Sequence, residues 1–427
     1  MGIFKDYDIR GIYPEELNEE NAFLIGRALG AYLKGRPAFL NYDTRVGSVN
    51  IKDDVVNGIL KSGSDVYELG CGPITVSNFA SFNEKACGVS ITASHNPAAY
   101  TGVIMYVNGT TLTPASIKTY YASKTFVRGA GRRIPHDYDD EYTEYITRGI
   151  RNAGINVGFD GMGGATTYIT PHVLEKIGAK VCSIRPKATS DFYGRTPEPS
   201  KANSAGLSHS VRKNRLDFGA QLDADGDRVV FVDDLGRFLD PMVTAMVFIK
   251  HLKLKKVTAS IACSRILERY ADVVYVKVGR PYIEDALKKA KSDFGVETSS
   301  HFYFADYYPF SDGILATVLM AKLLAKSGKR LSAIVDGLPK VYYGTDALNF
   351  SDDAGREAAM ERIIAMFKGY KDKIELDGVK AVFEDGFVLF RKSNTEPIIR
   401  AYYDGDNPAG FRRMRGVVEK MRAACGD

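Results

Sequence analysis

Across its first three quarters the chain repeats one order: a strand-like apolar run, a helix-like run, then another strand-like run. "AFLNYD" and "SDVYEL" flank a helical pattern over residues 51–60, and "ACGVSIT" follows. "NVGFD" leads through "GMGGATT" into a helical pattern over 168–177, then "KVCSI" and "FGAQLD". A third round reads "VTASIAC", the helix-like "RILERYA", "DVVYVKV", the helix-like "YIEDALKKAK" and "FGVETS". A parallel strand pair needs a crossover, and a helix supplies it, so this order predicts α/β domains with mixed, mostly parallel sheets. The last quarter breaks the order. A helical pattern over 358–367 precedes the strands "GVKAVF", "GFVLFRK" and "IIRAYYD" and a closing helix "FRRMRGVVEKM". Strands gathered between helices predict a smaller α+β domain. The expected domains are 1–150, 151–255, 256–342 and 343–427.

Composition narrows the function classes. The chain has 427 residues, 45% hydrophobic and 26% charged, enough for several cores. A net charge of +5 is mild, and the short basic clusters at 253–256 and 412–415 read as solvated helix ends. Nucleic-acid binding, which needs basic residues gathered on one face, is not expected. Five scattered cysteines without C-x-x-C spacing argue against a disulfide scaffold or a zinc site and suit a reducing cytoplasm. No secretion signal or myristoylation pattern opens the chain, and "ILATVLMAKLLA" is too short to span a bilayer, so no membrane partner is expected.

Ligands in open α/β sheets gather at strand carboxyl ends, and polar loops stand there in this chain. "VSITASHNPAAYTG" runs from a strand into a tight loop in which the Ser94 hydroxyl neighbours the His95 imidazole. Such a pair can do covalent chemistry, although the same residues also make an ordinary turn. In "LDADGDRVVFVDD", Asp223, Asp225 and Asp227 alternate with small residues. Extended, the outer two would lie about 13 Å apart, so binding one ion requires a curl, which Gly226 permits. An all-oxygen set suits Mg²⁺, Ca²⁺ or Mn²⁺. Arg228 occupies the position where an EF-hand needs glycine. A solvated acidic turn is the competing reading.

Two further loops offer binding groups. "RKSNTEPIIR" supplies Arg391, Ser393, Asn394 and Thr395, a guanidinium fork, hydroxyls and an amide suited to phosphate oxygens. The same run also makes a plain hairpin loop. "VETSSH" places Glu297, Ser299 and His301 on one face if the segment stays extended. "DGMGGATT" lacks the full G-x-G-x-x-G pattern and the distal acid of a dinucleotide site.

Taken in order, "TASHNP", "DADGDR", "ETSSH" and "RKSNTEP" resemble the α-D-phosphohexomutase family, as do "YDIRG" and "YDTR" in the first domain. The resemblance covers essentially the whole chain. It implies three similar α/β domains and a smaller C-terminal domain around a central cleft. It also implies an intramolecular phosphotransferase that interconverts hexose 1-phosphate and hexose 6-phosphate through a phosphoserine enzyme and a bisphosphorylated sugar. Ser94 would carry the phosphate and, with Asp223, Asp225 and Asp227, hold one Mg²⁺. Arg10 would stand near the phosphoserine, Arg228, Glu297, Ser299 and His301 would meet the sugar, and Arg391, Ser393, Asn394 and Thr395 would grip the far phosphate. A hexose 1,6-bisphosphate would activate the enzyme, as a monomer or homodimer, with mannose phosphate preferred and glucose phosphate accepted. Phosphoglucosamine mutase, a metal-dependent sugar phosphatase and a catalytically weak binding homologue are the competing functions.

The chain departs from the family pattern at Thr101 and at Ile104, where the pattern has lysine, and at Val296 and Ser300 in the sugar loop. Isoleucine cannot move a proton or offset charge, so His301 and His95 are the candidates to take over that task.

Overall fold

The computed structural model describes residues 2–393 and 397–425, and among these it forms four sheets. The first runs Ile9–Ile12, Tyr100–Val107, Cys87–Ile91, Ala38–Tyr42, Val66–Cys71 and Arg133–Pro135, with Thr110–Thr111 paired to Tyr100–Val107. Its strands from Cys87–Ile91 to Arg133–Pro135 are parallel, and the pairings on the other side are antiparallel. Helices Glu19–Leu33 and Val46–Leu60 pack on each other at a crossing only glycine allows. A Cβ on Gly26 would stand 2.2 Å from the Val55 carbonyl oxygen.

The second sheet orders Phe238–Leu239, Val229–Asp233, Phe218–Leu222, Asn156–Asp160 and Lys180–Ser183. The third orders Asp272–Val276, Lys256–Ser260, Phe294–Val296, Phe302–Phe304 and Tyr308–Ser311. Each has parallel pairs at one side and antiparallel pairs at the other. The fourth, Tyr342–Asn349, Ile398–Gly405, Gly386–Lys392, Val379–Phe383 and Lys373–Ile374, is antiparallel throughout. The helix-like run "RILERYA" is only a short 3₁₀ turn, Arg265–Arg269, because too few residues separate its flanking strands for a longer helix.

One apolar core links the first three sheets, with Ile104, Phe159, Phe218, Phe248 and Phe294 in a single cluster. The fourth sheet has its own core around Leu348, Ile363, Val388 and Met414. A smaller cluster of Ile261, Phe387, Leu389 and Tyr402 joins it to the third. The fold is thus a three-part block with a separately packed fourth part against it. Strands Cys87–Ile91, Phe218–Leu222, Phe294–Val296 and Gly386–Lys392 end at the four polar loops.

Candidate active site

All five residues of strand Cys87–Ile91 are buried, so the chain leaves the sheet at a fixed point and turns at once. The Thr92 hydroxyl accepts from the Ser94 amide (2.9 Å) and binds Asp43 Oδ2 (2.7 Å). Ser94 itself has φ of 50°, the left-handed region that non-glycine residues seldom adopt. The loop is held there by Arg45, which is wholly buried and donates to the carbonyls of Ser94, Asn96 (2.8 Å), Pro97 (2.6 Å) and Tyr100 (3.2 Å). Asp43 balances its charge at 2.9 Å, and the ring of Phe192, from the second domain, lies 4.7 Å from it.

Strand Phe218–Leu222 is equally buried and delivers the aspartates. Gly226, at φ 83°, lets the backbone curl, and Asp223 Oδ1 closes the curl by accepting from the amides of Gly226 (3.0 Å) and Arg228 (3.2 Å). The turn at 160–167 backs this loop: Ala165 N donates to Ala224 O at 2.7 Å, and a Cβ on Gly164 would lie 2.4 Å from that oxygen. Those glycines serve close packing of two loops. The first domain also grips the loop, through Ile74 N to Asp225 O (3.0 Å), as does the third, through Gly313 N to Gly226 O (3.0 Å).

Asp223, Asp225 and Asp227 are buried, and one oxygen from each lies within 4.8 Å of the others. Burial, then Asp225 and Asp227, push Asp223 well above the usual carboxylate range, and burial with Asp227 pushes Asp225 up to about 6. Burial would raise Asp227 too, but His301 when protonated, Arg280 and Arg228 outweigh it and hold it below that range. Asp225 Oδ1 and Asp227 Oδ1 have no hydrogen-bond partner. Crowded, buried carboxylates with unpartnered oxygens are what a hard divalent cation relieves, so the set fits a metal of the Mg²⁺ type.

The serine and the carboxylates meet. Ser94 Oγ donates to Asp223 Oδ2 at 2.8 Å, across 129 residues of chain. His95 Nδ1 lies 3.4 Å from the same hydroxyl, and Arg228, burial and Arg10 hold its imidazole well below its usual range, hence neutral near pH 7. Arg10 faces Gly102 in the strand register and donates to Asn96 of the serine loop and to Asp8 (2.6 Å).

His301 joins through a bridge between Arg228 and His301. Arg228 Nε donates to His301 Nε2 (3.2 Å); an arginine Nε only donates, so Nε2 accepts and Nδ1 carries the hydrogen, toward Ser299 Oγ at 2.8 Å. Asp227 Oδ1 lies 3.4 Å from Nε2. The single extended face expected for Glu297, Ser299 and His301 does not form. The segment bends at Ser300 (φ 70°), and Ser300 N returns to Glu297 O at 3.2 Å. Glu297 is therefore tucked inward, accepting from Gly279 N (2.9 Å) and the Tyr303 hydroxyl (3.0 Å).

A cavity of about 600 Å³ opens beside these groups, lined among others by Arg10, His95, Arg228, Thr298, Ser299, Arg391 and Ser393. Arg391 is anchored by Asp377 at 2.9 Å. The loop positions Asn394 and Thr395 lie outside the described residues. A second cavity of about 780 Å³ shares Lys5, Arg10, His95 and Arg400 with the first. Five cations, Lys5, Arg10, Arg228, Arg391 and Arg400, thus face connected space suited to a doubly phosphorylated ligand. Sequence reasoning missed Lys5, Arg400, Arg45 and Arg280. Arg45, inside the "YDTR" run, and Arg400, at the end of "RKSNTEPIIR", carried a signal, whereas Lys5 and Arg280 carried none.

The four domains of the phosphoglucomutase/phosphomannomutase family, alpha/beta/alpha domains I, II and III and the C-terminal domain, match residues 1–127, 140–236, 241–342 and 349–420. The chain belongs to this family. A phosphoglucomutase/phosphomannomutase of Thermococcus kodakarensis is 33% identical over 98% of both chains. A "Probable phosphoglucosamine mutase" of Methanothermobacter thermautotrophicus is 30% identical, again over 98% of both. Among solved structures, a phosphoglucomutase/phosphomannomutase family protein from Burkholderia thailandensis superposes with a TM-score of 0.90 at 23% identity, covering 99% of this chain and 97% of that one. Paramecium parafusin, a phosphoglucomutase, gives 0.80 at 17%, covering 98% and 94%. These likenesses carry the fold, and the family makes the chain an intramolecular phosphotransferase. No helix among the described residues is long and apolar enough to cross a membrane.

Proposed function

We propose that this phosphohexomutase passes phosphate through Ser94 between hexose 1-phosphate and hexose 6-phosphate, by way of a bisphosphorylated sugar, with mannose phosphate preferred and glucose phosphate accepted. The observation that carries the reading is Ser94 Oγ, 2.8 Å from Asp223 beside a cavity lined by cations. Asp223, Asp225 and Asp227, with the Ser94 oxygen, would hold one Mg²⁺, which when bound offsets phosphate charge. Phospho-Ser94 faces Arg10, whose guanidinium favours the dianion. Arg391 and Ser393, with Asn394 and Thr395, grip the phosphate that stays on the sugar, in either orientation of the intermediate. A hexose 1,6-bisphosphate, being that intermediate, would prime the enzyme. The reaction runs in a single chain, alone or in a homodimer.

His301 takes the part of the missing lysine. A bound sugar hydroxyl that displaces the Arg228 Nε–H from Nε2 can pass its proton to that nitrogen, and the Asp227 carboxylate, 3.4 Å away, then stabilises the imidazolium. Glu297 and Ser299 orient the ring from its Nδ1 side, and Ser299 also offers its hydroxyl to the sugar. His301→Ala should lower turnover by about 10²–10⁴-fold and His95→Ala by clearly less. Equal, small losses in steady-state kinetics would remove His301 from the proton step.

Ser299 and Thr298 present neutral hydroxyls to the ring, which suits mannose and glucose. Glu198 and Asp240 also line the cavity, and carboxylates are what the ammonium of glucosamine phosphate would need. That observation supports phosphoglucosamine mutase as the second reading. Coupled assays on mannose, glucose and glucosamine 1-phosphates, with Mg²⁺ and bisphosphate, decide between them. The highest kcat/KM is expected for mannose 1-phosphate, with no net phosphate release. A clear preference for glucosamine 1-phosphate would select the second reading, and stoichiometric phosphate release would make the protein a phosphatase.

A further inference from the structure

The helix Arg280–Ala290 carries Arg280, Glu284 and Lys288 at intervals of four, hence on one face. That face reads the hairpin of the first domain, residue by residue. Lys288 Nζ donates to Gly109 O (2.7 Å) and Thr110 Oγ1 (2.9 Å). Buried Glu284 accepts from the Thr111 amide (2.7 Å) and hydroxyl (2.9 Å). Arg280 Nη1 donates to the Tyr106 hydroxyl (3.0 Å) and, crossing to the second domain, to Asp227 Oδ2 (3.1 Å). Its Nη2 lies 3.8 Å from Asp8, the partner of Arg10.

The start of this helix is set by packing. Gly279 has φ 134°, and a Cβ there would strike the Tyr7 ring at 2.7 Å. Arg280 is only 9% exposed, so its guanidinium is directed by partners on three elements and not by solvent. Tyr106 lies two residues beyond Ile104 on the same strand face, so the cation arrives on the strand face where the family lysine is missing.

We propose that Arg280 is a positioning residue for the aspartate loop: by holding Asp227 through Oδ2, it fixes the rotation of that carboxylate and leaves Oδ1 without a hydrogen bond, available to a metal. The inference rests on the metal reading of Asp223, Asp225 and Asp227. Glu284 and Lys288 are the strut that fastens this helix face to the first domain, and Arg280 alone of the three meets Asp227. A buried carboxylate without this contact has freedom to rotate, and ligands whose outer partners are removed typically lose about 10–100-fold in metal affinity.

The test is Mn²⁺ titration of the full-length, chelator-treated protein, followed by loss of the free-ion paramagnetic signal. Arg280→Met should weaken Mn²⁺ binding about tenfold or more, with Arg280→Lys in between because it keeps the charge but cannot span both partners. Lys288→Met, which loosens the strut far from the carboxylates, should lower the melting temperature and leave Mn²⁺ affinity unchanged. If Arg280→Met does not fold, Tyr106→Phe serves, since it frees one side of the guanidinium and should weaken binding severalfold. Wild-type affinity in Arg280→Met, or in Tyr106→Phe where that is the variant read, overturns the proposal, as does an equal loss in Lys288→Met. Absence of Mn²⁺ binding by the wild type itself would instead remove the metal reading, and the inference with it.

Discussion

Ser94→Ala will abolish phosphate exchange, with turnover reduced on the order of 10⁴-fold or more. The size follows from the mechanism: without Oγ there is no covalent phosphate carrier, so a binding cleft alone has nothing to transfer. The variant should still fold. Ser94 is small, and its left-handed φ of 50° is imposed by Arg45 and Thr92, which alanine leaves in place. One contact is lost, the hydrogen bond to Asp223, in a site already strained by carboxylate repulsion. The melting temperature should therefore stay close to that of the wild type. Intact-mass measurement should find one phosphate on the wild-type chain, mapped to the peptide containing Ser94, and none on the variant. Retention of substantial mutase activity by Ser94→Ala would defeat the phosphoserine mechanism.

The parts of this site that were legible in the sequence share a property: their chemistry is concentrated locally. Three aspartates around one glycine are costly unless a cation or donors compensate them, so the residue pattern by itself points to a ligand. The strand ends were legible for a similar reason, because an apolar run such as Cys87–Ile91 that stops at Thr92 and Ser94 fixes where the polar loop leaves the sheet. The sugar loop was misread because alternation predicts a shared face only for extended backbone. Ser300 bends the chain, and Glu297 turns inward to Gly279 and Tyr303. The tasks of Arg45 and Arg280 were harder to read. The serine-loop carbonyls that Arg45 holds lie 49 to 55 positions away, and the hydrogen-bond partners of Arg280 lie 53 and 174 positions away, contacts that no window of local sequence contains.

Asp225→Asn will separate the two effects of the aspartate cluster, because it removes a charge while keeping the shape. In the metal-free protein, three buried carboxylates repel one another, and Asp225 is pushed up to about 6 by burial and by Asp227. At neutral pH it is still charged, so the metal-free fold bears the cost of burying that charge beside its neighbours. An amide in its place relieves that repulsion and can donate to a neighbouring carboxylate, so the metal-free variant should melt at a higher temperature than the metal-free wild type. With Mg²⁺ the order should reverse. A ligand that binds only the folded state stabilises by mass action, so the wild type should gain melting temperature in Mg²⁺ while the variant gains little. Turnover should fall by about 10²–10³-fold, the loss typical when a preorganised charge at the reacting centre is disrupted. Two thermal-melt series, with chelator and with Mg²⁺, give the result without any assay of activity. Full activity of chelator-treated wild type without added metal, or an undiminished Mg²⁺ shift in Asp225→Asn, would show that these carboxylates are not the metal site, and Asp223 would then serve only as the hydrogen-bond acceptor of Ser94.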